Sequence, residues 1–574
     1  MTANTLNMHY TLANPESFGI YNYAPTLSLY NKAEYAKSCE ALVETLDDFR
    51  SIDAQSLTDS DAYLLKMLIR TLENSLNLSR YNYYSEPLSP SSGMQSQLPI
   101  LLAEYTFRSK RDVEDYLALL DQCDEYFHSL LIFEQEKANA GLIMPAAFLK
   151  NVQEQCDTIV TINELNAGTH FLQTTFRERI EKLYQEELIK PEDLHNYLLQ
   201  NDELLKNVLV PAYETLQAGL AELEDASVLP AGLGATEDGK KYYEQLLISE
   251  TASYRSPKDI QALLLESFKK EYDAVQEILN TYPQLASKYV TDEISAFPLK
   301  DTAQMLLDLQ NRMQNDFPSL PDGSTQVSLK SVSESMEDYC APAFYLTAPV
   351  DGSDTNSIYI NHSKTPDGLQ LYTTLAHEGY PGHLYQNVYF NRSCISASER
   401  PARQLLWYGG YLEGWALYVE FLSFDYASEL LNEYNQPDEA IIAQLEKHSR
   451  SLQLCLYSLL DILIHYENTS FSQIASLLEN FGIDDTESIK SIYNYIVQEP
   501  CNYLKYYLGY LEILEVQDEA RALWNAEYND YRFHCFYLDC GPSDFTSLRE
   551  ALYETTVPSP TEEPIPATVL SAGK

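Results

Sequence analysis

Apolar and polar positions follow a helical period over most of the chain. Leu, Ile, Tyr and Phe recur at three- and four-residue spacing, with acids between them, over 58–80, 110–138, 172–187, 191–220, 257–281 and 302–316. The same pattern returns over 369–392, 401–424, 436–466, 471–480, 485–498 and 502–528. Each stripe gives one helix face to bury, so the pattern predicts a mainly α protein of packed helices. Strand signals are confined to Ala343-Phe344-Tyr345-Leu346-Thr347 and Ser357-Ile358-Tyr359-Ile360-Asn361, on either side of a Pro349-Val350-Asp351-Gly352 turn. They predict a small sheet just before the helix at 369. The Gly/Ala-rich stretch 226–241 reads as a loop between two helical lobes, 1–235 and 236–556, of one domain spanning 1–556. Beyond it, Pro558, Pro560, Pro564 and Pro566 predict a disordered tail over 557–574.

Charge narrows the function classes. The 574 residues carry 85 acids and 38 bases, a net charge of −47. A surface that acidic lacks the cationic footprint that nucleic acid or an anionic membrane requires, and it favours a site selecting cations or basic groups. No apolar run reaches the roughly 20 residues that span a bilayer, so no membrane insertion is expected. The first residues also lack the charged and apolar stretches of a secretory leader, which suits equally an extracytoplasmic chain whose leader has been removed. Nine cysteines without a CxxC pair argue against a disulfide framework and against a cysteine-ligated zinc site. Forty-five tyrosines supply apolar area tipped with hydroxyls, suited to amphipathic helix faces and wet groove walls.

The chemistry concentrates in Leu375-Ala376-His377-Glu378-Gly379-Tyr380-Pro381-Gly382-His383-Leu384-Tyr385-Gln386. The zinc-peptidase signature HExxH places two histidines at i and i+4 on one helix face, with the Glu beside the first activating water. Here the second histidine stands at i+6 and Pro381 occupies i+4. Six residues of regular helix turn through about 600°, leaving the imidazoles about 120° apart. They share one ion only if two residues bulge out of the helix, which the Pro381-Gly382 pair permits. Thirty residues on, Glu413 lies in Tyr411-Leu412-Glu413-Gly414-Trp415-Ala416-Leu417-Tyr418-Val419-Glu420, on a helix able to return to the first. His377, His383 and Glu413 then make a zinc ligand set with a fourth position left for water. Glu420, seven residues further along the same face, is a candidate partner for a ligand, and Gly414 would let the two site helices approach closely.

HEGYPGH followed by EGWALYVE resembles the large bacterial family catalogued as domain of unknown function 885. That family resembles the glutamate-zincin peptidases, among them the thimet-type oligopeptidases, angiotensin-converting enzyme and carboxypeptidase Taq. The likeness extends to Ala343-Phe344-Tyr345, Ile358-Tyr359-Ile360-Asn361, Asp461 with His465, the Pro500–Gly509 segment, Phe533-His534 and Gly541-Pro542. It implies two helical lobes around a deep channel, with the sheet beside the active-site helix. It also implies His377, His383 and Glu413 as ligands and Glu378 as general base. The strand through Tyr359, Ile360 and Asn361 would be the edge that pairs with an extended substrate. Tyr506 would donate to the developing oxyanion, as would His534, unless His534 binds a substrate carboxylate. Asp461 and His465, at i and i+4, would support the ligands from behind. The chain departs from the family at Asn502, Cys535 and Tyr457, where glutamine, aspartate and arginine are more usual.

The expected activity is therefore zinc-dependent hydrolysis of peptide bonds in short peptides. Two alternatives remain: a zinc amidase or esterase acting on a non-peptide substrate, and a non-catalytic protein that captures peptides or another ligand. Glu378 argues against the last, since binding alone needs no base beside a ligand.

Overall fold

The computed structural model describes residues 3–226, 232–291, 296–321, 325–332, 341–352, 355–364, 368–393 and 406–555, with single residues 323 and 337. It is mainly helical, and several helices fall where the periodicity predicts them. Pro257–Thr281 is one: Ser256 caps its N-terminus by accepting from the Asp259 amide, and Pro257 occupies the first turn, where no amide partner is lost. Phe471–Asn480 and Pro437–His465 also fall where the periodicity places them. The stretch 226–241 is not all loop, because a helix starts at Glu237, capped by Thr236. Residues 227–231, 401–405 and the tail 557–574 lie outside the described residues. No described helix is long and apolar enough to cross a membrane.

Burial separates an N-terminal core, drawn from helices between Leu98 and Leu220, from a C-terminal core around Trp415, Leu375 and Tyr411. One N-terminal helix, Asp59–Leu78, belongs with the C-terminal half. Its Met67 joins the second core, its Tyr63 hydroxyl donates to Ser543 at 2.8 Å, and its Arg70 pairs with Asp544 at 2.7 Å.

Three strands form the sheet: β1 (Gln326–Ser331), β2 (Ala343–Leu346) and β3 (Thr355–Ile360), in the order β1-β3-β2. β3 runs parallel to β1 and antiparallel to β2, with Ser328 opposite Ser357 and Phe344 opposite Tyr359. Alternate residues of β3 face alternate cores, Tyr359 the N-terminal one and Ile358 and Ile360 the C-terminal one. The sheet is thus a wall between the two cores. This corrects the expectation for Tyr359 and Ile360: β3 is paired on both sides, so their strand offers no free edge to a substrate. Asn361, just beyond β3, is also engaged, its amide donating to the Pro342 carbonyl at 2.8 Å.

Candidate metal centre

The helix that carries the first histidine, Leu369–Glu378, stops at Glu378, and a second, His383–Ser393, begins at the second histidine. The expected bulge is therefore a full break. The Tyr380–Pro381 peptide within it is cis. The Gly379 amide closes the last turn on Leu375 at 2.9 Å, and the Tyr385 amide reaches back to the Gly379 carbonyl at 3.1 Å. Glycine is required at 382, because a Cβ there would lie 1.8 Å from the His377 carbonyl oxygen. Trp415 fixes the break by donating its indole N–H to the Pro381 carbonyl at 2.9 Å. The two imidazoles end 4.9 Å apart, nearly perpendicular at 84°.

Glu413 comes from the Gly409–Glu433 helix. Its Oε2 lies 3.2 Å from His383 Nε2 and 3.7 Å from His377 Nε2. Donor atoms of these three residues lie within 4.8 Å of one another, the one such group of three among the described residues. Glu420 lies two turns beyond Glu413 on the same helix. Its Oε2 meets His377 Nδ1 at 2.9 Å, which turns Nε2 toward the cluster. Arg450, which the sequence reading missed, reaches the other Glu420 oxygen at 3.4 Å. It comes from Pro437–His465, far along the chain, so no local spacing announces it.

The electrostatics suit a cation. Burial disfavours charge on His377, yet its bonds to Glu413 and Glu420 raise it to about 10. Burial also opposes ionisation of Glu413, but His383 and His377 hold it well below the usual carboxylate range. Arg450 and His377 do the same for Glu420. Glu378 differs: burial pushes it above its ordinary value despite the two histidines. One of its oxygens accepts the Tyr345 amide of β2 at 2.9 Å, leaving the carboxylate oriented and short of full stabilisation.

Tyr506 joins the cluster from the Asn502–Trp524 helix. Its ring lies 6.0 Å from the His377 ring, and burial, Glu413 and Glu378 all hold its phenol in the protonated, donating form. Gly414 explains how, though not as expected. Its close contact is with Gly509 of the Tyr506 helix, where an added Cβ would lie 2.5 Å from the Gly509 carbonyl carbon. That approach brings Glu413 and Tyr506, one residue before Gly414 and three before Gly509, to the same site.

Three predicted residues sit elsewhere. His534 is buried against Phe317 and Trp415, with Nε2 bonded to the Tyr418 hydroxyl at 3.0 Å and Nδ1 to the Asp316 carbonyl at 2.6 Å. Both nitrogens are engaged inside the core, so it meets neither oxyanion nor substrate carboxylate. Asp461 and His465 touch no ligand. Asp461 accepts from the Tyr243 hydroxyl and the Cys501 amide, while His465 bonds the Ile496 carbonyl. Cys501, in the left-handed region at φ 66°, starts the helix that carries Tyr506. The pair therefore braces that helix start.

Residues 14–552 match the family described as "bacterial protein of unknown function (DUF885)". No curated protein matches the chain. A solved structure described as a lipoprotein from Colwellia psychrerythraea is similar at 20% identity and a TM-score of 0.77, covering 96% of this chain and 97% of its own. Another, described as a lipoprotein of unknown function from Shewanella oneidensis, is similar at 15% identity and a TM-score of 0.62, with the same coverage.

Proposed function

As the chain belongs to the DUF885 family, whose description assigns no activity, we propose that it is a zinc-dependent peptidase acting on short peptides. The observation that carries this reading is the convergence of His377, His383 and Glu413 beside a buried, oriented Glu378. Two imidazoles and one carboxylate are a zinc donor set, and His377 Nε2 is freed for an ion by the Glu420 bond at Nδ1. Bound there, zinc supplies Lewis acidity toward a water and a substrate carbonyl oxygen. Glu378, which burial raises above its ordinary value, takes the proton of the attacking water and returns it to the leaving amine. Tyr506, held protonated, donates to the oxygen on which negative charge develops.

β2 takes over the role first assigned to β3. It is the sheet edge beside Glu378, so an extended peptide lies along Ala343–Leu346. We also infer an extracytoplasmic location from the lipoprotein descriptions of the two similar structures. Incubating the zinc-loaded protein with a diverse synthetic peptide mixture, read by mass spectrometry, tests the activity. Defined cleavage products that a chelator abolishes support it. An intact mixture in the presence of stoichiometric zinc rejects it.

A further inference from the structure

A cavity of about 240 Å³ opens between the N-terminal segments that carry Glu86, Ser89 and Met144 and the C-terminal elements that carry Tyr242, Glu250 and Lys505. Two elements link it to the metal centre: Lys505, which lines it, precedes Tyr506 in the chain, and the carbonyl of Glu250, also on its wall, packs against Gly409, one turn before Glu413. Two features of its wall point to one kind of ligand. The first is aromatic, since Tyr84 and Tyr242 stack at 5.5 Å and 24° and present ring surface to the cavity. The second is acidic, since Glu86, Glu250 and Glu499 all line it. Ring faces and carboxylates together recognise a cation, the rings through their quadrupole and the acids through charge.

The local charge is unbalanced. Glu499 is steadied by the Ser89 and Ser92 hydroxyls, both donating to one oxygen at 2.7 Å. Glu86 pairs with the buried Lys137, which also faces the buried Glu134 at 3.5 Å. Neither Glu134 oxygen accepts a hydrogen bond among the described residues. Four carboxylates thus share two ammonium groups, Lys137 and Lys505. Burial raises Glu86 to about 7 despite its pairing with Lys137, and pushes Glu250 up despite the nearby Lys505.

We propose that this cavity is the specificity subsite of the peptidase and holds a cationic group of the peptide, a Lys or Arg side chain or the amino terminus. The assignment rests on the peptidase reading above, since it supplies the substrate. Leu233, Met144 and Leu246 add apolar wall for the methylene stem that carries the charge. Lys505 is the one lining group that opposes a cation, and it tunes the affinity downward.

The test separates binding from hydrolysis. Calorimetry on the zinc-loaded full chain compares three probes: Nα-acetyl-arginine amide, citrulline amide with a free α-amine, and Nα-acetyl-citrulline amide. These carry a side-chain cation, a terminal cation and no cation. At least one cationic probe is expected to bind about ten-fold or more tightly than the neutral one, as expected for charge pairing at a half-buried site. Whichever wins identifies the source. Glu250→Gln is expected to reduce that ratio, and Lys505→Gln to increase it, a gain that misfolding does not produce. Equal binding of all three probes, or a ratio that Lys505→Gln lowers, overturns the proposal. Charge-selective binding without cleavage of any peptide upholds the subsite while rejecting the peptidase reading. Cleavage without charge preference, with equal probe binding, does the reverse.

Discussion

Replacing Glu420 should weaken the metal site without removing any ligand. Its carboxylate accepts from His377 Nδ1 at 2.9 Å in a buried setting and is itself held by Arg450. A hydrogen bond to an ionised acceptor is worth about 2 kcal/mol, roughly twice a neutral one. Glu420→Gln keeps an acceptor oxygen but loses the charge, a deficit of about 1 kcal/mol, or about five-fold in zinc affinity. Glu420→Ala also leaves Nδ1 unpaired and the ring free to turn, so the loss should reach about 2–3 kcal/mol, roughly 50-fold. Zinc competition against a chromogenic chelator at constant pH measures both steps, and circular dichroism of the metal-free variants checks that each is folded. Unchanged affinity in Glu420→Ala, or a greater loss in Glu420→Gln than in Glu420→Ala, would refute the role assigned to this carboxylate.

Three further outcomes follow from the packing and the buried charges. Gly382→Ala forces a methyl against the His377 carbonyl, so zinc binding should be lost while far-UV dichroism stays near wild type; retained stoichiometric zinc contradicts this. Gly414→Ala drives the Glu413 and Tyr506 helices apart, and overpacking of this kind should lower unfolding free energy by about 3 kcal/mol in denaturant titrations. His534 is fully buried and its folded-state value is lowered to about 4, against 6.5 when unfolded. The unfolded chain therefore takes up a proton that the fold refuses, and stability is lost as pH falls from 6.5 to 4, by about 3 kcal/mol over that window. His534→Gln should flatten this limb by that amount, and stability-versus-pH curves that run parallel in the two proteins would exclude the assignment.

The parts of the site legible in the sequence are those encoded locally. His377, Glu378 and His383 sit within seven residues, and the Pro381-Gly382 pair announces that the helix yields between them. Glu413 and Glu420 are seven apart on one helix, so their shared face follows from the period alone. What was missed depends on partners far along the chain. β1 was overlooked because its alternation is short, with only Val327 and Leu329 as apolar positions, and none of its residues is fully buried. Without it, nothing in Ser357–Asn361 tells a central strand from an edge. Lys32–Ser51 carries only a narrow apolar stripe, Tyr35, Cys39, Leu42, Leu46 and Phe49, of which Leu46 alone is fully buried, and Met94–Ala103 carries Pro99 in its interior, so neither helix stands out in the sequence. His534 and Asp461 show the opposite failure. Polar residues in recognisable dipeptides and helix pairs prove to be bonded inside the core, a role that spacing does not distinguish from catalysis.

Glu378→Gln is the most direct probe of the whole mechanism. The variant keeps the three ligands and an oxygen to accept the Tyr345 amide, and it removes only the base. Zinc content by elemental mass spectrometry is expected to equal that of the wild type, while cleavage of the synthetic peptide mixture falls by about three orders of magnitude or more, the scale of a lost general base. A zinc-loaded variant that cleaves peptides at the wild-type rate would contradict the assignment of Glu378, and with it the peptidase mechanism.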